Sequence, residues 1–223
     1  YQLEALKFKK YEKIIRKADG IFSISAFEQK YFLSKYGKKC NYIPAFHKAN
    51  FSKNTLNRGD YILYHGDLRI SDNIKSALYL IDIYKNSSFK LLIASNDNSF
   101  IKNEVKKHKN IEFKRIKNQE ELKNLFESAH INTLITFQKT GIKLKLRNAM
   151  YQGKFIIGNT EMIADTGLES LCEMANTKEE ILQKTELLFS RDFCESELKK
   201  RKKKLNGFNP EASAKRMIEI IFK

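Results

Sequence analysis

The segment KTGIKLKLRNAMYQGKFIIGN, residues 139–159, gathers the side chains best suited to holding an anion. Thr140 is of a type that caps helices, and Gly141 lets another group approach the backbone closely. Lys143 and Lys145 add full positive charge. If a helix starts at Thr140, the amides of Gly141, Ile142, Lys143 and Leu144 are the unpaired donors of its first turn. They then lie at the positive pole of the helix dipole, where a phosphate binds. Read by alternation from Ile142, the same residues form a strand with a solvated basic face. Pattern alone leaves the two readings level.

A second candidate is HGDLRISDN, residues 65–73. Gly66 directly after an apolar run permits close approach of a phosphate, Arg69 adds charge, and Asn73 stands where it can cap a helix or touch a ligand. A plain tight turn explains this stretch equally well. Other chemistry is faint. There is no GxGxxG, no phosphate loop, no metal-ligand spacing and no Ser/His/Asp order, so neither a metal nor a cofactor is expected. His47, His65, His108 and His130 are dispersed and read as surface or capping residues, with His65 the least secure because it precedes Gly66. Cys40, Cys172 and Cys194 are odd in number and far apart, and read as buried reduced thiols.

Composition sets the outer bounds. The chain has 223 residues, 42% apolar and 30% charged, ordinary for a globular protein. No apolar run approaches the ~20 residues that span a bilayer, and YQLEALKFKK lacks the apolar core of a signal peptide. A cytoplasmic protein is expected. The net charge of +16 attracts nucleic acid, acidic headgroups or a diphosphate. Lysines scattered along the chain, without clustered arginines or aromatic platforms, argue against nucleic acid as a partner.

The elements that must position these residues follow from periodicity. Residues 2–17 read as an amphipathic helix, GIFSIS as a strand, 26–37 as a helix and CNYIPAF as a strand. The polar, turn-rich 51–60 reads as the end of a linker that begins near 47. Strands follow at 61–66, 89–95, 111–116, 131–137, 154–159 and 170–175. Helices lie between them, with capping-box starts at Asn118/Glu121 and Thr177/Glu180. The remainder reads as helix, broken only at NGFNP (206–210). Strands alternating with helices require crossover connections and hence a parallel sheet. The fold class is α/β: a Rossmann-like, doubly wound domain over 61–209, preceded by a βαβ piece (1–50) and followed by a last helix (210–223). In such sheets ligands bind beyond the carboxyl ends of the strands.

Two stretches carry a family resemblance. ADGIFSISAFEQKYFLSKYGKKCNYIPAFHKANF (18–51) resembles the "AD-x-(apolar)-S-x-S…IP-N-G" segment of retaining glycosyltransferases of family 4. TGIKLKLRNAMYQGKFIIGN is similar to their donor-site segment "EGFGL-x-L-L-E-A-M-A-x-G-x-PVI", with Gly141, Leu144, Ala149, Met150 and Gly153 in register. The resemblance favours the helix reading of 140–153. It implies the donor-binding half of a bacterial GT-B enzyme that uses a UDP- or GDP-sugar without a metal. It also implies a saccharide or lipid-linked acceptor, a role in surface-polysaccharide synthesis, and peripheral contact with an acidic membrane face. The 1–50 piece would then be the end of an N-terminal domain, and 210–223 the crossover helix. The family's two donor-site glutamates fall at Thr140, facing the sugar, and Asn148, at the ribose. Its Arg after the first Gly falls at Asp67, so Arg69, Lys143 and Lys145 are the candidates to replace that charge. The base would lie near Ile116 and Lys117, read by backbone. Loss of both glutamates keeps open a non-catalytic binding or scaffolding protein.

Overall fold

The computed structural model describes residues 2–46, 51–52, 56, 58–97, 99–138 and 141–222. The expected linker falls mostly on residues outside these, as do His47 and Thr140. The chain divides into two compact units, 1–48 with 205–223, and 49–204.

The larger unit is one six-stranded sheet. Its strands are β3 (Ile62–His65), β4 (Leu91–Ser95), β5 (Ile111–Arg115), β6 (Ile131–Leu134), β7 (Phe155–Gly158) and β8 (Glu173–Met174), numbered after two strands of the smaller unit. Every pairing is parallel and the order is β5-β4-β3-β6-β7-β8. That is the doubly wound Rossmann order, with the chain reversing direction across the sheet between β3 and β6. The apolar runs explain it. All residues of β3, β4, β6 and β7 are buried, as they must be when helices cover both faces of a parallel sheet. On the edge strand β5, exposed Glu112, Lys114 and Arg115 discourage pairing with another chain.

The covering helices are α3 (Ser71–Tyr84), α4 (Lys102–Val105), α5 (Gln119–Ser128), α6 (Leu144–Gln152), α7 (Thr160–Ile163), α8 (Lys178–Phe189) and α9 (Glu195–Leu205). Both expected N-caps form. Asn118 Oδ1 accepts from Glu121 N, and Thr177 and Glu180 complete a reciprocal capping box. Leu80, Ile81 and Tyr84 of α3 pack with Ile62, Tyr64, Leu91 and Ile93 in the main core. Each such apolar side chain contributes about 1.5–3 kcal/mol on burial.

Two buried cations close helix ends. Lys154 Nζ donates to Glu127 O and, at 3.1 Å, to Ala129 O, at the end of α5. Arg201 Nη1 donates to Met150 O at 3.3 Å and Gly153 O at 2.6 Å, at the end of α6. Both satisfy carbonyls that a helix leaves unpaired.

Several boundaries differ from expectation. α4 is a single turn because Asp97 Oδ1 accepts from Ser99 N and Oγ, holding a turn where a helix would begin. The C-terminal helical region has a further break between α8 and α9. There Phe193 turns into the core against Phe155, 5.3 Å between ring centres. The cysteines are free, but only Cys40 is buried, and Cys194 is exposed. His65 and His130 are buried rather than at the surface, and His130 Nε2 meets Leu188 O at 2.8 Å.

In the smaller unit α1 (Gln2–Glu12) runs into a 3-10 turn, Lys13–Lys17, and α2 (Ala26–Tyr36) lies between β1 (Phe22–Ser23) and β2 (Asn41–Tyr42). These two strands pair in parallel. Ser25 caps α2, and Gly37 ends it in the left-handed region at φ 66°. The expected amphipathic face is not covered, and Leu3, Leu6 and Ile14 are exposed. The last helix, α10 (Pro210–Ile221), starts on the Asn209 cap with Pro at its first position. Among the described residues no helix is long and apolar enough to cross a membrane.

Candidate functional site

The crevice where the strand order reverses, between β3 and β6, is where the larger unit can hold a ligand. The chain leaving β3 passes through Gly66 and enters α3. The chain leaving β6 enters α6. Two cavities open beside these connections. One, of about 410 Å³, is lined by His65, Gly66, Ser95, Asn96, Ile116, Lys117, Asn118 and Asn148. The other, of about 250 Å³, is lined by Asp72, Asn73, Thr136, Gln138 and Gly141–Lys145. Leu144 and Lys145 line both.

The helix expected from Thr140 begins three residues later. Lys143 stands at the N-cap of α6 and Leu144 is its first residue. Gly141 explains the delay, because at φ 91° it cannot continue into a right-handed helix. The unpaired first-turn donors are therefore the amides of Leu144 and Lys145. Leu146 N already donates to Lys143 O at 3.1 Å. Thr140 itself lies outside the described residues.

Lys145 is the cation best placed in the crevice. Its Nζ donates to Asn73 Oδ1 at 2.5 Å and lies 5.2 Å from the centre of the Tyr64 ring. Burial pushes its pKa down to about 8, against the opposing pull of Asp72 and Asp67. A Cβ added to Gly66 would come within 2.8 Å of Lys145 Nζ and 3.2 Å of Asn73 Cγ, so only glycine admits this arrangement. Asn73 Nδ2 in turn donates to Asp67 O at 2.8 Å. Lys143 Nζ donates to Gln138 O at 2.9 Å, and burial lowers its pKa too.

Arg69 does not join them. It lines neither cavity, and its guanidinium folds onto Asp67 at 2.7 Å, holding that carboxyl down at about 2. The pair is local, two residues apart, and leaves Asp67 neutralised. His65 ends β3 on the wall of the larger cavity with its ring edge-on to Phe126 at 4.8 Å. Burial, then Lys145, pushes its pKa down to about 3, so it is a neutral imidazole.

Sequence reasoning missed the groups that fix the loop after β6. Asp72 Oδ2 accepts from Thr136 Oγ1 at 2.9 Å, and Asp72 Oδ1 from Phe137 N at 3.3 Å. From the other side Asn159 pairs with both backbone groups of Thr136, accepting at 3.2 Å and donating at 2.7 Å. Nothing in the sequence signalled Thr136, which falls inside the strand expected at 131–137.

No protein-family model matches the chain, and no curated protein matches it. Solved structures do. An S. aureus TarM variant in complex with fondaparinux, alpha-GlcNAc-glycerol and UDP superposes with a TM-score of 0.68 at 15% identity, over 94% of this chain. A glycosyltransferase from Rickettsia africae gives 0.67 at 17% over 95%, and sucrose-phosphate synthase from Thermosynechococcus elongatus gives 0.69 at 16% over 95%. The fold is that of the GT-B glycosyltransferases. At these identities the likeness is one of fold. The chain spans 46%, 65% and 59% of those three structures, less than two thirds of each.

Proposed function

We propose that this chain is the donor-binding part of a retaining glycosyltransferase, moving a hexose from a UDP- or GDP-sugar to a saccharide or lipid-linked acceptor in bacterial surface-glycan synthesis. The observation that carries this reading is the meeting of two cavities at the first turn of α6, beside Gly66 and Lys145. A nucleotide sugar has that form: a nucleoside for the larger cavity, a hexose for the smaller, and a diphosphate across their shared wall.

The roles follow from chemistry. The Leu144 and Lys145 amides and Lys145 Nζ hold the diphosphate against Gly66. As the sugar leaves, negative charge grows on the diphosphate, and these fixed donors stabilise it without a metal or further cofactor. Asn148 meets the ribose, Thr140 and Lys143 face the sugar, and Ile116 and Lys117 lie by the base. The acceptor would be bound by the part of the enzyme that lies beyond this fold unit, and the lysine excess favours an acidic cytoplasmic membrane face.

Calorimetric titration with UDP, GDP and their hexose conjugates tests the reading. Saturable heat at low salt with folded protein is expected, and no heat with any of them contradicts it. A second reading, a binding protein without turnover, draws support from Thr140 and Asn148 at the two glutamate positions. Donor hydrolysis or transfer by the full-length protein separates the two.

A further inference from the structure

Several buried side-chain atoms of the described residues have no hydrogen-bond partner, and one of them belongs to the crevice, His65 Nδ1. The residue is 6% exposed, stands on the wall of the larger cavity and directly precedes Gly66. The Phe126 ring packed against it offers no polar partner. Burial and the nearby Lys145 keep the imidazole neutral, so it has one N–H to donate and one lone pair to accept with. Folded proteins rarely leave a buried polar group in this state. On a cavity wall, the missing partner is one that a ligand can bring.

The position indicates which part of a nucleotide that is. β5, β4 and β3 are neighbours in the sheet, and Ile116, Ser95 and Gly66 line the cavity at their carboxyl ends. Strands lie about 4.8 Å apart, so the cavity runs about 10 Å from the diphosphate at Gly66 to the base at Ile116. His65 is one residue from the diphosphate end, where the ribose follows. The diphosphate oxygens only accept, and the Leu144 and Lys145 amides and the Lys145 ammonium already serve them. A ribose hydroxyl both donates and accepts, as a neutral imidazole does. Asn148 of α6 lines the same cavity and is the other side chain suited to the ribose.

We infer that His65 is a ribose-binding residue, whose imidazole hydrogen-bonds a hydroxyl of the nucleotide's ribose beside Asn148. The inference rests on the donor-binding reading above and adds to it a group that recognises ribonucleotides.

The test takes whichever of UDP and GDP binds more tightly, with its 2′-deoxy and 3′-deoxy forms, and titrates them by calorimetry into the unmodified chain and His65→Phe. On the unmodified chain, removing the hydroxyl that meets His65 is expected to weaken binding about fivefold, the net worth of one hydrogen bond. His65→Phe is expected to weaken the ribonucleotide by a similar factor and to bind it no better than that deoxy form. A purely structural role for His65 moves the ribonucleotide and both deoxy forms alike. That result, or no change in any of them, with the fold confirmed by circular dichroism, overturns the inference and leaves the donor-binding reading intact. Equal binding of all three by the unmodified chain also overturns it, whatever the stability of the variant. Absence of binding by both UDP and GDP overturns the donor-binding reading, and this inference with it.

Discussion

Lys145 Nζ on α6 donates to Asn73 Oδ1 on α3 at 2.5 Å, joining the two sides of the crevice between β3 and β6. The bond holds an ammonium beside Gly66 before any ligand arrives, so little reorganisation is needed to grip a phosphate. Lys145→Met removes a charge-assisted hydrogen bond worth about 1.5–3 kcal/mol, a roughly 10- to 100-fold loss in affinity for nucleotide diphosphates. Calorimetry on the variant measures it.

The same lysine gives the site a pH dependence. Its pKa is down at about 8 in the free protein, and a bound diphosphate favours the charged form. Affinity for a nucleotide sugar is therefore full below about pH 8 and falls as pH rises through that value, and the fall is absent in Lys145→Met. Stability runs the other way. The unfolded chain holds this proton up to about 10.5, so between about 8 and 10.5 the unfolded state binds more protons. Ligand-free stability from this group rises with pH across that window. Denaturant unfolding of wild type and Lys145→Met across pH 7–11 isolates the contribution.

Gly66→Ala places a methyl group 2.8 Å from Lys145 Nζ and 3.3 Å from the Tyr64 hydroxyl. The lysine is the flexible partner and must yield. Because the closest atom is the far end of a flexible side chain, stability is expected to change little. Nucleotide affinity is expected to fall, because Lys145 leaves Asn73. Thermal melts and titrations on the same preparation check both.

Asn159→Ala leaves the buried N–H and C=O of Thr136 without partners. About 1–3 kcal/mol of stability should be lost. The loop that ends at Lys143 should also loosen, weakening nucleotide binding while leaving the rest of the sheet protected. Amide hydrogen exchange resolves the two effects.

How much of this the sequence revealed depended on whether the signal was local. The apolar runs at 62–65, 91–95, 131–134 and 155–158 were legible because a sheet covered on both faces makes its strands continuously hydrophobic. The caps at Asn118 and Thr177 were legible because each is closed within three residues. The helix start at Leu144 was not, because a left-handed Gly141 delays a helix whose residue types also suit an earlier start. Arg69 looked like a ligand-facing cation until its neighbour Asp67 claimed it. The clamp on Thr136 was invisible, since its bonds reach 64 residues back to Asp72 and 23 forward to Asn159.

The most direct measurement is the crystallographic position of the β-phosphate of a bound nucleoside diphosphate. The account predicts a phosphate oxygen within about 3 Å of the Leu144 or Lys145 amide and of Lys145 Nζ, with the base against Ile116–Asn118. A diphosphate seated elsewhere, with the first turn of α6 empty, contradicts it.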